Sequence, residues 1–190
     1  LRRGCAVIER CAGIGYYEKP LPRGLEQTVS WIKDFSDYMN ADKESAEMLC
    51  RELENEYREK MEPLKSSLDG VTAIVYAESS ADINWLLETL CALGIQVPEI
   101  LCPTNSIWNE ADEVLEITRD IRIKYDMNLD DLRTELDSLK PTFFAGSSSV
   151  LSTVDYRHMI LERPRPGISG CIEHAKRIVR MCRVTDYDFS

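Results

Sequence analysis

Apolar positions along this 190-residue chain follow two successive regimes. Between Leu25 and Leu68 they recur every three or four residues. Leu25, Val29, Ile32, Phe35 and Met39 form one series, and after a break at 40–43 Ala46, Leu49, Leu53, Tyr57, Met61, Leu64 and Leu68 form a second. That spacing marks one face of an amphipathic helix and predicts two helices, the second about six turns long. A helix of that length either folds back as an antiparallel hairpin on its own domain or packs against a neighbouring domain or subunit. Before Leu25, the residues Gly13, Gly15, Pro20, Pro22 and Gly24 punctuate an irregular lead-in. From Gly70 onward, short β-prone runs alternate with helical periodicity.

The clearest unit is Gly70 to Ile95. Val71 to Ala77 is a short apolar run of the kind a buried parallel strand requires, and Glu78-Ser79-Ser80 ends it with three polar residues. Ser80 is placed to cap a helix whose inward face is Ile83, Leu86, Leu87 and Leu90, with Gly94 suited to the left-handed turn after it. Further strands are predicted at Val97–Cys102, Ile121–Tyr125, Thr142–Ala145 and around Tyr156–Leu161. Helices are predicted at Ile107–Thr118, from an Asn128 cap through Leu129, Leu132, Leu136 and Leu139, and from Gly167–Gly170 through Cys182. Five strands joined in this way predict an α/β fold, a doubly wound five-stranded parallel sheet of order 3-2-1-4-5 preceded by two long helices. The domain division expected is an N-terminal loop and helical extension over 1–69 and a Rossmann-like domain over 70–190. Ligands of such sheets bind beyond the carboxyl ends of the strands, at the switch in strand order, so Glu78-Ser79-Ser80 and Gly146-Ser147-Ser148-Ser149 should face each other there.

Composition narrows the classes. With 33 Asp/Glu against 23 Lys/Arg, the net charge of −10 argues against a nucleic-acid partner. No apolar run reaches the length of a membrane span, which argues for a cytoplasmic protein. Seven scattered cysteines without a C-x-x-C pair do not make a disulfide framework or a zinc site. Cys50, Cys91, Cys171 and Cys182 fall in predicted helices beside apolar positions, where a free thiol acts as a small hydrophobe. Cys102, at the carboxyl end of the second strand, is either a ligand-facing thiol or one more core residue. The Gly146–Ser149 loop is either an anion-holding nest or a solvated cap. His158 is placed for ligand contact or for packing, whereas His174, alone in a helix, reads as a surface residue. Neither G-x-G-x-x-G nor a Walker loop is present. An isolated flavodoxin-like ligand-binding domain stays open as an alternative, with Ser79, Ser80 and Trp108 as a thin flavin signature.

Taken in order, Gly13-Ile14, Pro22-Arg23-Gly24-Leu25-Glu26-Gln27-Thr28, the long helix, GVTAIVYAESS, LKPTFFAGSS and PGISG resemble the nitrogenase component 1 type oxidoreductases. Lys140-Pro141-Thr142 with Gly146-Ser147 is similar to the family's K-P-D segment and following turn, and Gly167-Ile168-Ser169-Gly170 to its G-Y-x-G turn. The resemblance implies one Rossmann-like domain of a larger subunit, an excised piece inactive by itself. It implies electron transfer to a bound substrate or metallocluster, a homologous partner subunit in a heterotetramer-like assembly, and an ATP-dependent iron–sulfur reductase. Alternatively, it implies a scaffold for cofactor assembly. An iron–sulfur cluster or metallocluster would belong to the full-length complex, with none bound tightly by this piece. The edge residues then expected to contact the cofactor are Ser79, Ser80, Asp82, Cys102, Gly146, Ser147, Ser148 and His158. Two departures stand out. Ser79-Ser80-Ala81-Asp82 replaces the Gly-Gly-Leu-Arg of nitrogenase, and Ile160-Leu161-Glu162-Arg163-Pro164 lacks its cofactor-binding histidine.

Overall fold

The computed structural model describes residues 17–77, 83–103, 121–147, 150 and 153–183. Two helices, α1 (Gly24–Tyr38) and α2 (Lys43–Lys65), lead into β1 (Ala73–Tyr76), α3 (Asn84–Ala92), β2 (Glu99–Pro103), β3 (Arg122–Met127), α4 (Leu129–Leu139), β4 (Phe143–Gly146), β5 (His158–Ile160) and α5 (Ile168–Arg183). The five strands form one sheet of order β3-β2-β1-β4-β5, and every pairing is parallel. This is the expected topology, with the switch between β1 and β4. The helix expected at 107–118 lies outside the described residues, as does Ser80, but α3 takes Ile83 as its N-cap, without a side-chain hydrogen bond, in place of the expected Ser80.

The strands alternate between two cores, as a period of two requires. Ala73, Val75, Ile100, Cys102, Phe143 and Ala145 point to one face, where α3 and α5 pack and where Tyr57 and Met61 of α2 join the same cluster. Ile74, Tyr76, Leu101 and Phe144 point to the other, covered by Leu132 and Leu136 of α4 with Val150 and Val154. The central position of β1 explains its uninterrupted apolar run, since all four of its residues are buried. Edge strand β3 instead carries charge. Lys124 Nζ bridges Glu99 Oε2 at 2.9 Å and Glu135 Oε1 at 2.7 Å, tying the edge to its neighbour strand and to α4.

The two long helices pack on each other and on α3 and α5, so they form a hairpin against the helices of their own chain. Its buried line differs from the simple periodic series. Cys50, Tyr57 and Met61 are buried, while Leu49 and Met39 of the predicted series are exposed. Trp31 stacks on Phe35 with ring centroids 4.8 Å apart, and Tyr17 meets both edge-on. Cysteines divide similarly: Cys50 and Cys171 are buried, Cys182 is half-buried, and Cys91 is exposed rather than packed among the apolar residues of its helix. Among the described residues, no helix is long and apolar enough to cross a membrane.

Candidate functional site at the carboxyl edge of the sheet

The edge is built from the last residues of the strands. Ala77 follows β1, Cys102 and Pro103 end β2, Gly146 ends β4 and Ser147 follows it. Gly146 is selected by closeness: a Cβ there would lie 3.3 Å from the Phe144 ring and 3.8 Å from Tyr76 Cβ, leaving little room beside the switch. Its carbonyl accepts from Leu161 N at 2.8 Å, and Ser147 O accepts from Val150 N at 3.1 Å, which turns the chain back after the strand. Ser79, Ser80, Asp82 and Ser148 lie outside the described residues.

Cys102 faces inward. It is fully buried beside Ile100 and Val75, and desolvation pushes its thiol up to about 11, so it is protonated at neutral pH. A metal ligand or nucleophile needs the thiolate, so the environment of Cys102 suits core packing. His158 is the first residue of β5, paired with Phe144 and two residues short of the carboxyl end. It is exposed, its Nδ1 sits 2.9 Å from Tyr156 O, and its ring centroid is 6.1 Å from that of Phe144. β2 and β5 are separated by two strands, so Cys102 and His158 stand three strand spacings apart, roughly 14 Å. They cannot share a ligand atom. Among the described residues, no group of three or more His, Cys, Asp or Glu could hold a metal ion, so these side chains do not form a cluster-ligating set.

A second feature of this end is hidden from periodicity. The lead-in Pro22-Arg23-Gly24 docks on the β5–α5 loop: Gly167 N donates to Pro22 O at 2.9 Å, Arg23 Nε donates to Pro164 O at 3.2 Å, and Arg23 and Gly167 form an isolated parallel bridge. Arg23 itself supplies no side-chain cap to α1. Glu88 of α3 does so instead, accepting from Leu25 N at 2.7 Å and Glu26 N at 3.3 Å. Burial raises the Glu88 pKa, and those two backbone donors oppose the shift. The signal for this junction in the sequence is the pair of glycines, Gly24 and Gly167, both at positive φ. What the sequence lacks is any mark joining segments so far apart. His174 is also placed differently from the surface position its helix suggested. It is buried at 6% exposure, edge-on to Trp85 with centroids 4.9 Å apart, and burial lowers its pKa to about 4.

A parallel sheet wound on both sides, with its strand order reversing between β1 and β4, defines a Rossmann-like α/β unit preceded by a helical hairpin. The chain belongs to the nitrogenase component 1 type oxidoreductase family, whose family model matches residues 1–181. Among solved structures it is similar to one described as nitrogenase Cp1 at pH 5, with a TM-score of 0.67 and 15% identity over 98% of this chain and 47% of that one. A second, nitrogenase Cp1 at pH 6.5, gives a TM-score of 0.63 and 14% identity over 87% of this chain and 45% of that one. At such identities the likeness concerns the fold. The chain spans about half the length of these nitrogenase chains. A search of curated proteins gave no match.

Proposed function

We propose that this chain is one Rossmann-like unit of a cytoplasmic nitrogenase-like component 1 subunit that takes part in reductive electron transfer to a bound substrate or metallocluster. The observation that carries this reading is the family match over 1–181. The carboxyl edge, with Ser79, Ser80, Asp82, Cys102, Gly146, Ser147, Ser148 and His158, then forms one wall of a cavity completed by other parts of the assembly. Its part is shape and polarity: a glycine where the backbone must come close, serine hydroxyls for hydrogen bonds, and a buried thiol behind them. Because the described side chains do not fit a cluster, the cluster ligands are expected from elsewhere in the full-length subunit or its partner. Asp82, where nitrogenase has arginine, favours a substrate or cofactor less anionic than that of nitrogenase.

The test is anaerobic purification of the full-length subunit with its homologous partner, followed by mixing with the ATP-dependent iron–sulfur reductase. Iron–sulfur electron paramagnetic resonance that changes only when reductase and ATP are both present supports electron transfer. A cluster that is instead handed intact to an apo-acceptor supports the assembly-scaffold reading. Iron-free protein with no ATP-dependent change would sink both.

A further inference from the structure

The β5–α5 loop and the first turns of α5 enclose a polar cleft of about 150 Å³ beyond the carboxyl end of β5. Arg163, Arg165 and Arg177 line it, with Glu162, Glu173 and His174 beside them. None of Cys102, Gly146, Ser147 and His158 lines it. The carboxylates sit at a distance: Arg165 Nη1 is 3.7 Å from Glu173 Oε1, and Arg177 Nη1 is 3.9 Å from Glu162 Oε2. Both separations exceed hydrogen-bond length, so Glu173 and Glu162 offset the charge of Arg165 and Arg177 as loose ion pairs, without a close hydrogen bond at those atoms. His174 closes the inner side, and its Nε2 is buried without a hydrogen-bond partner. The surroundings have the same sign. Residues 157–183 contain seven Lys/Arg and two Glu, in a chain whose net charge is −10, and Lys176, Arg177, Arg180 and Arg183 are exposed along α5.

We propose that this cleft binds the oxyanion of a small ligand, a phosphate or a carboxylate, through Arg165 and Arg177 with His174 at its inner wall. Guanidinium forks match the geometry of both oxyanions and hold them by charge-assisted hydrogen bonds. On an otherwise acidic molecule, a local positive field is where such an anion concentrates. The site does not depend on the reductase reading. Glu173 gives a test whose sign separates a binding site from a surface ion-pair network. In a network, losing the acid only removes a partner, whereas in an anion site it removes a competitor for Arg165.

The experiment is calorimetric titration of the full-length subunit with inorganic phosphate and, separately, with succinate. The expected result is saturable binding of at least one, weakened by roughly tenfold or more in the Arg165→Ala/Arg177→Ala double variant. Arg180→Ala, outside the cleft lining, should weaken it by less than about twofold, through the field alone, and Glu173→Gln should tighten it. A response to phosphate alone identifies a phosphate-bearing ligand, and to succinate alone a carboxylate. Absence of saturable heat up to about 10 mM of either probe, an equal loss in Arg180→Ala, or weakening by Glu173→Gln overturns the proposal.

Discussion

Gly24 sits at φ +80° with no room for a side chain, because a Cβ there would lie 2.6 Å from Glu88 Oε2. Two costs coincide at that residue, the left-handed backbone and displacement of the carboxylate that caps α1. Gly24→Ala is therefore expected to lower stability by about 2 kcal/mol, read as a fall in the urea midpoint of the full-length subunit at unchanged slope. Gly170 is selected on different grounds. A Cβ there would overlap the backbone of Arg165, so Gly170→Ala should cost about 1–3 kcal/mol and disturb the β5–α5 loop. His174 contributes a pH dependence whose sign follows from its lowered pKa, about 4 against the ordinary 6.5. The unfolded chain takes up a proton near pH 6.5 and the folded chain resists until about 4. Stability from keeping this ring neutral is thus complete above pH 6.5 and lost as pH falls toward 4, by up to about 3 kcal/mol. Unfolding free energies at pH 7.5 and pH 5 should diverge less in His174→Gln than in the parent protein.

Elements differ in how plainly their sequences announce them. The N-terminus of α4 was legible in its Asn128 cap, whose Oδ1 accepts from Asp130 N at 2.8 Å and Asp131 N at 3.0 Å, and the structure adds the reciprocal half, Asp131 Oδ2 accepting from Asn128 N at 2.9 Å. Asn128→Ala should cost about 1 kcal/mol, visible as a lower melting temperature. The inward face of α3 was plain, since Ile83, Leu86, Leu87 and Leu90 are all buried and Gly94 takes φ +75°, but its start was not, because Ile83 and not Ser80 holds the N-cap position. The hairpin was harder. Its tip is exposed at Met39, Met48 and Leu49, so apolar spacing there does not map onto burial. Of the candidate site, the sequence placed Gly146 and Cys102 at the sheet edge through topology alone. Which face a strand residue takes depends on register against its neighbours, and that is why the inward turn of Cys102 was not legible. Cys102→Ala is accordingly expected to leave the iron content of the assembled subunit unchanged while costing about 1 kcal/mol of stability.

At the scale of the whole molecule, sheet order and family membership agree, and Ala77, Gly146 and Ser147 end or follow the two strands, β1 and β4, that flank the switch. The junction between Pro22-Arg23-Gly24 and Pro164–Gly167 has a consequence for how the chain acquires its structure. These partners are separated by 141 residues in the Arg23–Pro164 bond, so α1 cannot complete its docking until nearly the whole segment has left the ribosome. At about 5–20 residues per second, that delay is on the order of ten seconds. Through it the surfaces of α1 and α2 that pack on α5 stay open to solvent, so the nascent hairpin is a stretch that a chaperone would cover.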